Sequence, residues 1–167
     1  MIKSYIVAAS ILFCTVLIET AILSNITILP AVPDLILLCT IFFAQLNGRT
    51  AGEITGFISG TFIDFLSGVP FGFNCLYRTV IGYIMGIIGD KFSFDGFFMP
   101  AFCAFFATLL KSLFVWIISF LFPHISAVYR IISVPFLFEL ACNTIFAPFV
   151  FQLLYLFKSS LTIQKDI

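Results

Sequence analysis

Six apolar segments alternate with short stretches of turn-forming residues along the chain. We predict helices at residues 5–24, 33–47, 51–67, 73–89, 97–121 and 134–157. The stretches between them carry proline, glycine, asparagine and aspartate, which end helices and form turns: Pro30–Pro33, Asn47–Thr50, Gly68–Gly72, Asp90–Gly96 and Pro123–Ser133. A membrane-spanning helix needs about 20 mostly apolar residues. The pattern therefore predicts an all-α, six-helix transmembrane bundle that forms a single domain over residues 1–167.

The second segment is the shortest of the six. As a helix, its 15 residues would extend about 22 Å, less than the roughly 30 Å hydrocarbon core of a bilayer. We therefore expect that this helix is either longer than the apolar segment or partly re-entrant.

The composition favours a membrane protein. Hydrophobic residues make up 62% of the 167 positions and charged residues 10%, against roughly 45–50% and about 25% in an ordinary soluble domain. A soluble fold could not hide so much apolar surface, because a domain of this size leaves roughly a third of its unfolded surface in water. With 8 basic and 8 acidic residues and no basic cluster, the chain also lacks the positive charge that a nucleic-acid partner requires.

No pattern of catalytic or metal-binding residues stands out. The five cysteines lie singly in apolar segments and form no C-x-x-C pair, which favours small buried side chains over a disulfide framework or a zinc site: Cys14, Cys39, Cys75, Cys103 and Cys142. His124 is the only histidine, and no nucleophile or metal ligand accompanies it. The sequence contains no phosphate-binding loop. We therefore expect neither an enzyme nor a bound cofactor or metal.

The basic residues predict the orientation of the bundle. With the N-terminus inside, Arg130 alone falls on the outer side, and five residues fall on the cytoplasmic side: Lys3, Arg49, Lys91, Lys158 and Lys165. Because lysine and arginine are retained on the cytoplasmic side, both termini are predicted to be cytoplasmic. The first apolar segment lacks a good cleavage site, so we expect a retained helix rather than a cleaved signal peptide.

Glycine and polar residues recur at every fourth position in and around the third and fourth segments. The first row is Gly48, Gly52, Gly56, Gly60, Asp64 and Gly68. The second row is Asn74, Arg78, Gly82, Gly86 and Asp90. Residues four apart lie on one face of a helix, and small ones let two helix backbones approach closely in a membrane. The two rows therefore predict that the third and fourth helices pack along their glycines.

Asp64 and Arg78 lie seven residues to either side of Phe71 in the turn, so they should reach the same depth. A charged residue inside a span costs about 2.5–3.5 kcal/mol on insertion scales and is normally paired. We predict an intramembrane ion pair between Asp64 and Arg78. The alternative is that Arg78 extends to the interface while Asp64 lies in the interfacial region.

Three more charged residues fall at comparable depth in other helices: Glu19, Lys111 and Glu139. Together with Asp64 and Arg78, they could line a polar pocket or an ion path that opens to the outside. We favour a second ion pair between Lys111 and Glu139, because the small gaps between six helices leave little room for a channel. Glu19 would then contact another protein or lie at the interface.

One run of residues resembles the signature of the MreD family of rod shape-determining proteins. The run comprises Pro33-Asp34-Leu35-Ile36-Leu37, the glycines from Gly48 to Gly60, Asp64, Ser67-Gly68-Val69-Pro70-Phe71-Gly72, Leu76, Gly82-Tyr83 and Gly86. The resemblance is detailed over residues 33–86. The rest of the chain is similar only in length, hydropathy and its late pair of spans.

The resemblance implies a non-enzymatic, multi-pass component of the cell-elongation complex in the bacterial inner membrane. Its expected partner is MreC. MreB, a RodA-type glycosyltransferase and a class B penicillin-binding protein would be reached indirectly. The implied fold is that of the substrate-binding subunits of energy-coupling-factor transporters. Pro33-Asp34 would begin the second helix at the outer face, the Ser67–Gly72 turn would shape the hairpin, and a partner helix would dock on the outer half.

The alternative function is a small-molecule-binding membrane subunit of an energy-coupling-factor type transporter. Such a subunit needs several convergent polar or aromatic groups in its outer loops. This chain offers only the short Ser67–Gly72 turn and the modest loop at residues 122–133, so we favour the scaffold. The sequence leaves open whether the chain forms homo-oligomers and which helices face a partner.

Overall fold

The described part of the chain is helical. A computed structural model describes residues 2–25, 30–68, 70–91, 96–121 and 133–163, and none of these residues forms a strand. The helices are α1 (Ile2–Ala21), α2 (Leu35–Asn47), α3 (Arg49–Leu66), α4 (Phe73–Lys91), α5 (Phe98–Leu121), α6 (Val134–Tyr155) and α7 (Lys158–Leu161), with a 3-10 turn at Leu23–Asn25. His124, Arg130 and Lys165 lie outside the described residues.

Helices α1 to α6 overlap the six predicted segments. Three of them contain stretches long and apolar enough to cross a membrane: Ile2–Ala21, Phe98–Ile118 and Val134–Tyr155. Helix α2 is apolar but short, whereas α3 and α4 carry charged residues and the glycine rows. Three membrane-spanning helices are thus supported by length and composition, and a count of six spans stays a prediction.

Helix α2 is the central helix of the described bundle. Ten consecutive residues from Ile36 to Gln45 are buried, and α2 packs against α1, α3, α4, α5 and α6. A helix that is apolar all round is stable where other elements enclose it. The expectation of a helix longer than the apolar segment is wrong, since α2 has 13 residues and extends about 20 Å. Protein rather than lipid surrounds it, so its length need not match the bilayer.

Helices α3 and α4 form a hairpin whose backbones meet at glycines. A Cβ atom on Gly52 would overlap the carbonyl group of Gly82, and one on Gly82 would overlap the carbonyl group of Gly52. Gly56, Gly60 and Gly86 face the backbone of the opposite helix in the same way. Gly48 joins α2 to α3 at φ +87°, with the Asp90 side chain against it. A side chain at any helical position of this row would force the two helices apart.

The short helix α7 ties the C-terminal segment to one end of the bundle. Ser4 Oγ donates to the carbonyl of Thr162 at 3.2 Å. Asn47 Nδ2 donates to the carbonyl of Leu161 at 3.1 Å, and Ile163 N–H donates to Asn47 Oδ1 at 2.7 Å. These contacts bring together the beginning of α1, the end of α2 and α7. We call this the α7 end.

Four basic residues that the sequence analysis assigned to the cytoplasmic side belong to the α7 end. Lys3 precedes the anchored Ser4, and Lys158 begins α7. Arg49 begins α3 directly after α2, and its backbone packs against Gly86 near the end of α4, which is Lys91. These four residues therefore lie at one end of the bundle, and the cytoplasmic position of this end stays a prediction.

Candidate functional site

Asp34 lies at the N-cap of α2 and receives hydrogen bonds from three helices. Its Oδ1 accepts the backbone N–H of Leu37 at 2.8 Å, which caps the first turn of α2. Nη2 of Arg78 on α4 donates to Oδ1 at 2.8 Å and to Oδ2 at 2.7 Å. Nζ of Lys111 on α5 donates to Oδ2 at 2.6 Å. Pro33, the preceding residue, is also buried, so the residues that lead into α2 lie inside the protein.

Lys111 extends these ion pairs to a fourth helix. Its Nζ also donates to Oε1 of Glu139 on α6 at 2.6 Å. Asp34 and Arg78 are 2% exposed, Glu139 is 1% exposed and Lys111 is 9% exposed. We call these four residues the ionic cluster. Its two positive and two negative charges balance, which offsets the cost of keeping each of them away from water.

Neutral hydrogen bonds reinforce the ionic cluster between α2, α5 and α6. The backbone N–H of Asp34 donates to Oδ1 of Asn143 at 2.8 Å. Asn143 Nδ2 donates to Oγ1 of Thr108 at 3.1 Å, and Thr108 Oγ1 donates to the carbonyl of Ala104 at 2.8 Å. Both Asn143 and Thr108 are buried, so these bonds hold the start of α2 against two further helices.

Glu19 on α1 lies beside the ionic cluster. Its Oε2 accepts the backbone N–H of Ile36 at 3.3 Å, in the first turn of α2. Glu19 is also close enough to interact electrostatically with Asp34, Arg78 and Lys111. Four of the five charged residues that the sequence placed at comparable depth thus gather around the start of α2. Asp64 is the exception.

Asp64 binds the beginning of α4, so the predicted ion pair between Asp64 and Arg78 needs correction. Its carboxylate accepts the backbone N–H groups of Gly72 at 2.9 Å, Asn74 at 3.0 Å and Cys75 at 3.2 Å. The first N–H groups of a helix lack partners within it, and a carboxylate satisfies them well. Equal depth in a hairpin does not fix the direction of a side chain, and Arg78 reaches the start of α2 instead.

A short polar chain links Asp64 to the ionic cluster. Asn74 Nδ2 donates to Asp64 Oδ1 at 2.8 Å, and Tyr77 Oη donates to Asn74 Oδ1 at 2.8 Å. The guanidinium carbon of Arg78 lies 5.6 Å from the centre of the Tyr77 ring. The turn between α3 and α4 is therefore connected to Arg78 through Asn74 and Tyr77.

The motif residues in the turn shape the hairpin. Gly68 and Gly72 have φ angles of +64° and +93°, in the left-handed region that favours glycine. Ser67 is the C-cap of α3, and its N–H donates to the carbonyl of Ile63 in the last turn of the helix at 2.8 Å. The carbonyl of Pro70 accepts the N–H of Phe73, the first residue of α4, at 3.2 Å. These contacts place Gly72 where its N–H reaches Asp64.

The ionic cluster has the chemistry of an internal clamp. Its carboxylates are bound by cations in a buried position, which is a poor arrangement for a general base that must reach a substrate. Removing one partner of a buried ion pair costs about 3–5 kcal/mol, because the other charge is left uncompensated. Among the described residues, no group of three or more His, Cys, Asp or Glu side chains could hold a metal ion. The cluster is therefore suited to fixing four helices.

The central role of Asp34 was not predicted from the sequence. Asp34 was expected only to begin the second helix, and neither Asn143 nor Thr108 was expected at the site. A local signal existed for Asn143, which follows Glu139 by four residues and shares its helix face. Thr108 likewise precedes Lys111 by three residues. No local signal indicates that Asp34 meets Arg78, 44 residues away.

The comparisons with known proteins concern helices α1 to α6 together. The family model described as rod shape-determining protein MreD matches residues 2–157. No curated protein matches the chain. The matched range includes α1 to α6 and therefore every residue of the ionic cluster.

Proposed function

Because this chain belongs to the MreD family of rod shape-determining proteins, we propose that it is a scaffold that binds MreC within the membrane. Family membership gives it a role in rod-shape determination as a membrane protein, and the family is not a known enzyme family. In the proposed role, the chain organises or regulates peptidoglycan synthesis by setting the conformation or position of its partner. The work is done by binding rather than by turnover.

The proposed topology has six membrane spans in the bacterial inner membrane. Helices α1 to α6 would all cross, with both termini cytoplasmic and the whole chain forming one transmembrane domain. The position of four basic residues at the α7 end supports this orientation. The polar residues of α3 and α4 fit a membrane setting because the inner faces of these helices meet each other and the ionic cluster. The expected relationship to the substrate-binding subunits of energy-coupling-factor transporters is part of this proposal.

The ionic cluster is the observation that carries the scaffold proposal. Four helices each place a charged residue at one buried point, and neutral hydrogen bonds join three of them again. A protein that works by presenting a fixed surface needs its helices held in one arrangement. Such a cluster supplies this rigidity inside a membrane, where the hydrophobic effect contributes little between helices.

MreC is the proposed direct partner, with its transmembrane helix docked on the outer half of the bundle. This half contains the start of α2 and the turn between α3 and α4. MreB, a RodA-type glycosyltransferase and a class B penicillin-binding protein would be reached indirectly through the complex. The ionic cluster would not contact MreC itself, but it would set the positions of the helices that do.

The proposal is tested by co-purification together with depletion. The tagged chain is extracted from membranes in a mild detergent, and the proteins that accompany it are identified by mass spectrometry. In parallel, the chain is depleted and cell shape is followed by microscopy. We expect recovery of MreC and rounded or widened cells. Recovery of an ATPase pair with a bound small molecule, with cell shape unchanged, would instead establish the transporter subunit.

Two arginine variants test whether the ionic cluster supports this function. Arg78→Ala removes a buried charge from the cluster, whereas Arg49→Ala removes the same charge from an exposed position on α3. Each variant replaces the depleted protein, with membrane levels matched by immunoblot. We expect Arg49→Ala to restore rod shape and MreC recovery, and Arg78→Ala to restore neither. Full activity of the Arg78→Ala variant would contradict a role for the cluster.

A further inference from the structure

A cavity lies at the α7 end, between the last parts of α2, α4 and α6 and the beginning of α5. Its volume is about 690 Å³, within the roughly 300–1,000 Å³ of sites that bind small molecules. Aromatic and aliphatic residues form much of its wall: Phe42, Leu46, Phe97, Pro100 and Phe151. Asp34 lies at the opposite end of α2, so the cavity is separate from the ionic cluster.

Gln45 brings an unpaired amide to this cavity. The residue is 9% exposed, and neither Nε2 nor Oε1 has a nitrogen or oxygen hydrogen-bond partner. The thiol of Cys103 lies beside it but is only a weak partner. Buried amides are normally hydrogen-bonded, so a polar group of a bound ligand would supply what Gln45 lacks.

Two lysines border the cavity on its exposed side. Lys91 is the last residue of α4, and Lys158 is the first residue of α7. Lys158 Nζ donates to Tyr155 Oη at 2.9 Å and lies 4.5 Å from the centre of its ring, which holds the ammonium group in place. Asp90 borders the cavity as well, so these three charged residues carry a net charge of about +1.

We propose that this cavity binds a phospholipid with an anionic phosphodiester head group. The phosphate would lie between Lys91 and Lys158, the Gln45 amide would meet ester oxygens, and part of an acyl chain would follow the aromatic wall. An apolar surface bordered by lysines is the pattern by which proteins hold anionic lipids at a membrane surface. The net positive charge favours an anionic head group over a zwitterionic one. The lipid would come from the inner leaflet if the proposed orientation holds, and MreC binding is not required.

Native mass spectrometry of the full chain tests this proposal. The protein is purified in a non-ionic detergent, stripped of lipid by extended washing, and titrated with palmitoyl-oleoyl phosphatidylglycerol. Palmitoyl-oleoyl phosphatidylcholine and glycerol 3-phosphate are titrated in parallel. We expect one tightly retained phosphatidylglycerol per chain, weaker binding of phosphatidylcholine, and no competition by glycerol 3-phosphate. If glycerol 3-phosphate displaced phosphatidylglycerol as effectively as free phosphatidylglycerol does, the cavity would be a free phosphate site and the lipid assignment would be overturned.

A matched pair of double variants separates the cavity from general surface charge. Lys91→Gln with Lys158→Gln removes both lysines from the cavity. Lys3→Gln with Arg49→Gln removes the same charge from exposed positions at the same end. We expect the first pair to raise the dissociation constant for phosphatidylglycerol about tenfold, since two charge-assisted contacts are lost, and the second to change it less than about twofold. Equal effects of the two pairs would overturn the proposal.

Gln45→Leu tests the amide without removing a charge. The two side chains are similar in size, and the variant loses only a polar group whose partner in the lipid-free protein is the weakly bonding thiol of Cys103. We expect weaker retention of phosphatidylglycerol together with an unchanged or higher melting temperature without lipid. Unchanged lipid retention would overturn the part assigned to Gln45. A lower melting temperature without lipid would show that the amide is instead satisfied within the protein.

Discussion

Arg78→Ala is the substitution that tests the buried ion pairs most directly. Arg78 is 2% exposed, and its Nη2 donates to both oxygens of Asp34 at 2.7 and 2.8 Å. Truncation removes both bonds and leaves the cluster with one uncompensated negative charge. Removal of one partner from a buried pair costs about 3–5 kcal/mol. For a chain of this length, about 2–4 °C per kcal/mol converts this to a loss of roughly 6–20 °C in melting temperature.

The assay is thermal unfolding of purified variants in one mild detergent, followed by circular dichroism of the helical signal. Arg78→Lys is the conservative companion, because it keeps the charge but replaces the guanidinium group, whose Nη2 donates to both Asp34 oxygens, with a compact ammonium group of different reach. We expect its melting temperature to fall between those of the wild type and Arg78→Ala. A size-exclusion profile of each variant before heating shows whether it entered the assay folded.

A double-mutant cycle identifies the partner of Arg78. Asp34→Asn and Asp64→Asn are each combined with Arg78→Ala. Residues in direct contact show interaction energies of about 0.5–3 kcal/mol, whereas independent sites add. We expect a larger interaction energy between Arg78 and Asp34 than between Arg78 and Asp64. The reverse order, or an Arg78→Ala variant that melts within about 2 °C of the wild type, would refute the assignment of the cluster.

Four further substitutions test other parts of the fold, three by the same melting assay and one by hydrogen exchange. Gly56→Ala places a methyl group against the backbone of α4 and should lower the free energy of unfolding by at least the roughly 1–3 kcal/mol typical of overpacking. Its control, Gly68→Ala, has free space around the added methyl group and should lose only the approximately 1 kcal/mol of left-handed strain. Equal losses of stability in the two variants would contradict the close approach of the helices. Asn143→Ala leaves the buried Asp34 N–H unpaired and should cost about 1–3 kcal/mol, so a neutral result would argue against that bond. Asn47→Ala releases the segment after α7, so hydrogen exchange should rise there while the rest of the bundle keeps its protection; unchanged exchange would show that other contacts anchor the segment.

Local sequence patterns predicted much of the fold. The apolar runs and turn residues gave helices that overlap α1 to α6, because helix formation depends on residues close in sequence. The glycine rows could be read in the same way, since two helices joined by a short turn are neighbours, and glycines at every fourth position mark the faces that can meet. The family signature lay in this part of the chain, and the match over residues 2–157 confirms the family.

The partners of the buried charges depended on the tertiary structure. The equal distance of Asp64 and Arg78 from the turn predicted that they pair, but distance along a hairpin gives the depth of a side chain and not its direction. Asp64 instead meets the unpaired N–H groups at the start of α4, which lie nearer to it along the chain. Arg78 meets Asp34 because α2 packs against α4.

The sequence by itself determined the kind of protein, the overlap of its helices with the apolar segments and the tight hairpin of α3 and α4. All three follow from composition or from spacing within a few tens of residues. Only the tertiary structure decided that the short α2 is central, that Asp34 joins four helices, and that Gln45 faces a cavity with two lysines. These features depend on how each helix is rotated against its neighbours. That rotation is set by the packing of the whole bundle, and no local pattern encodes it.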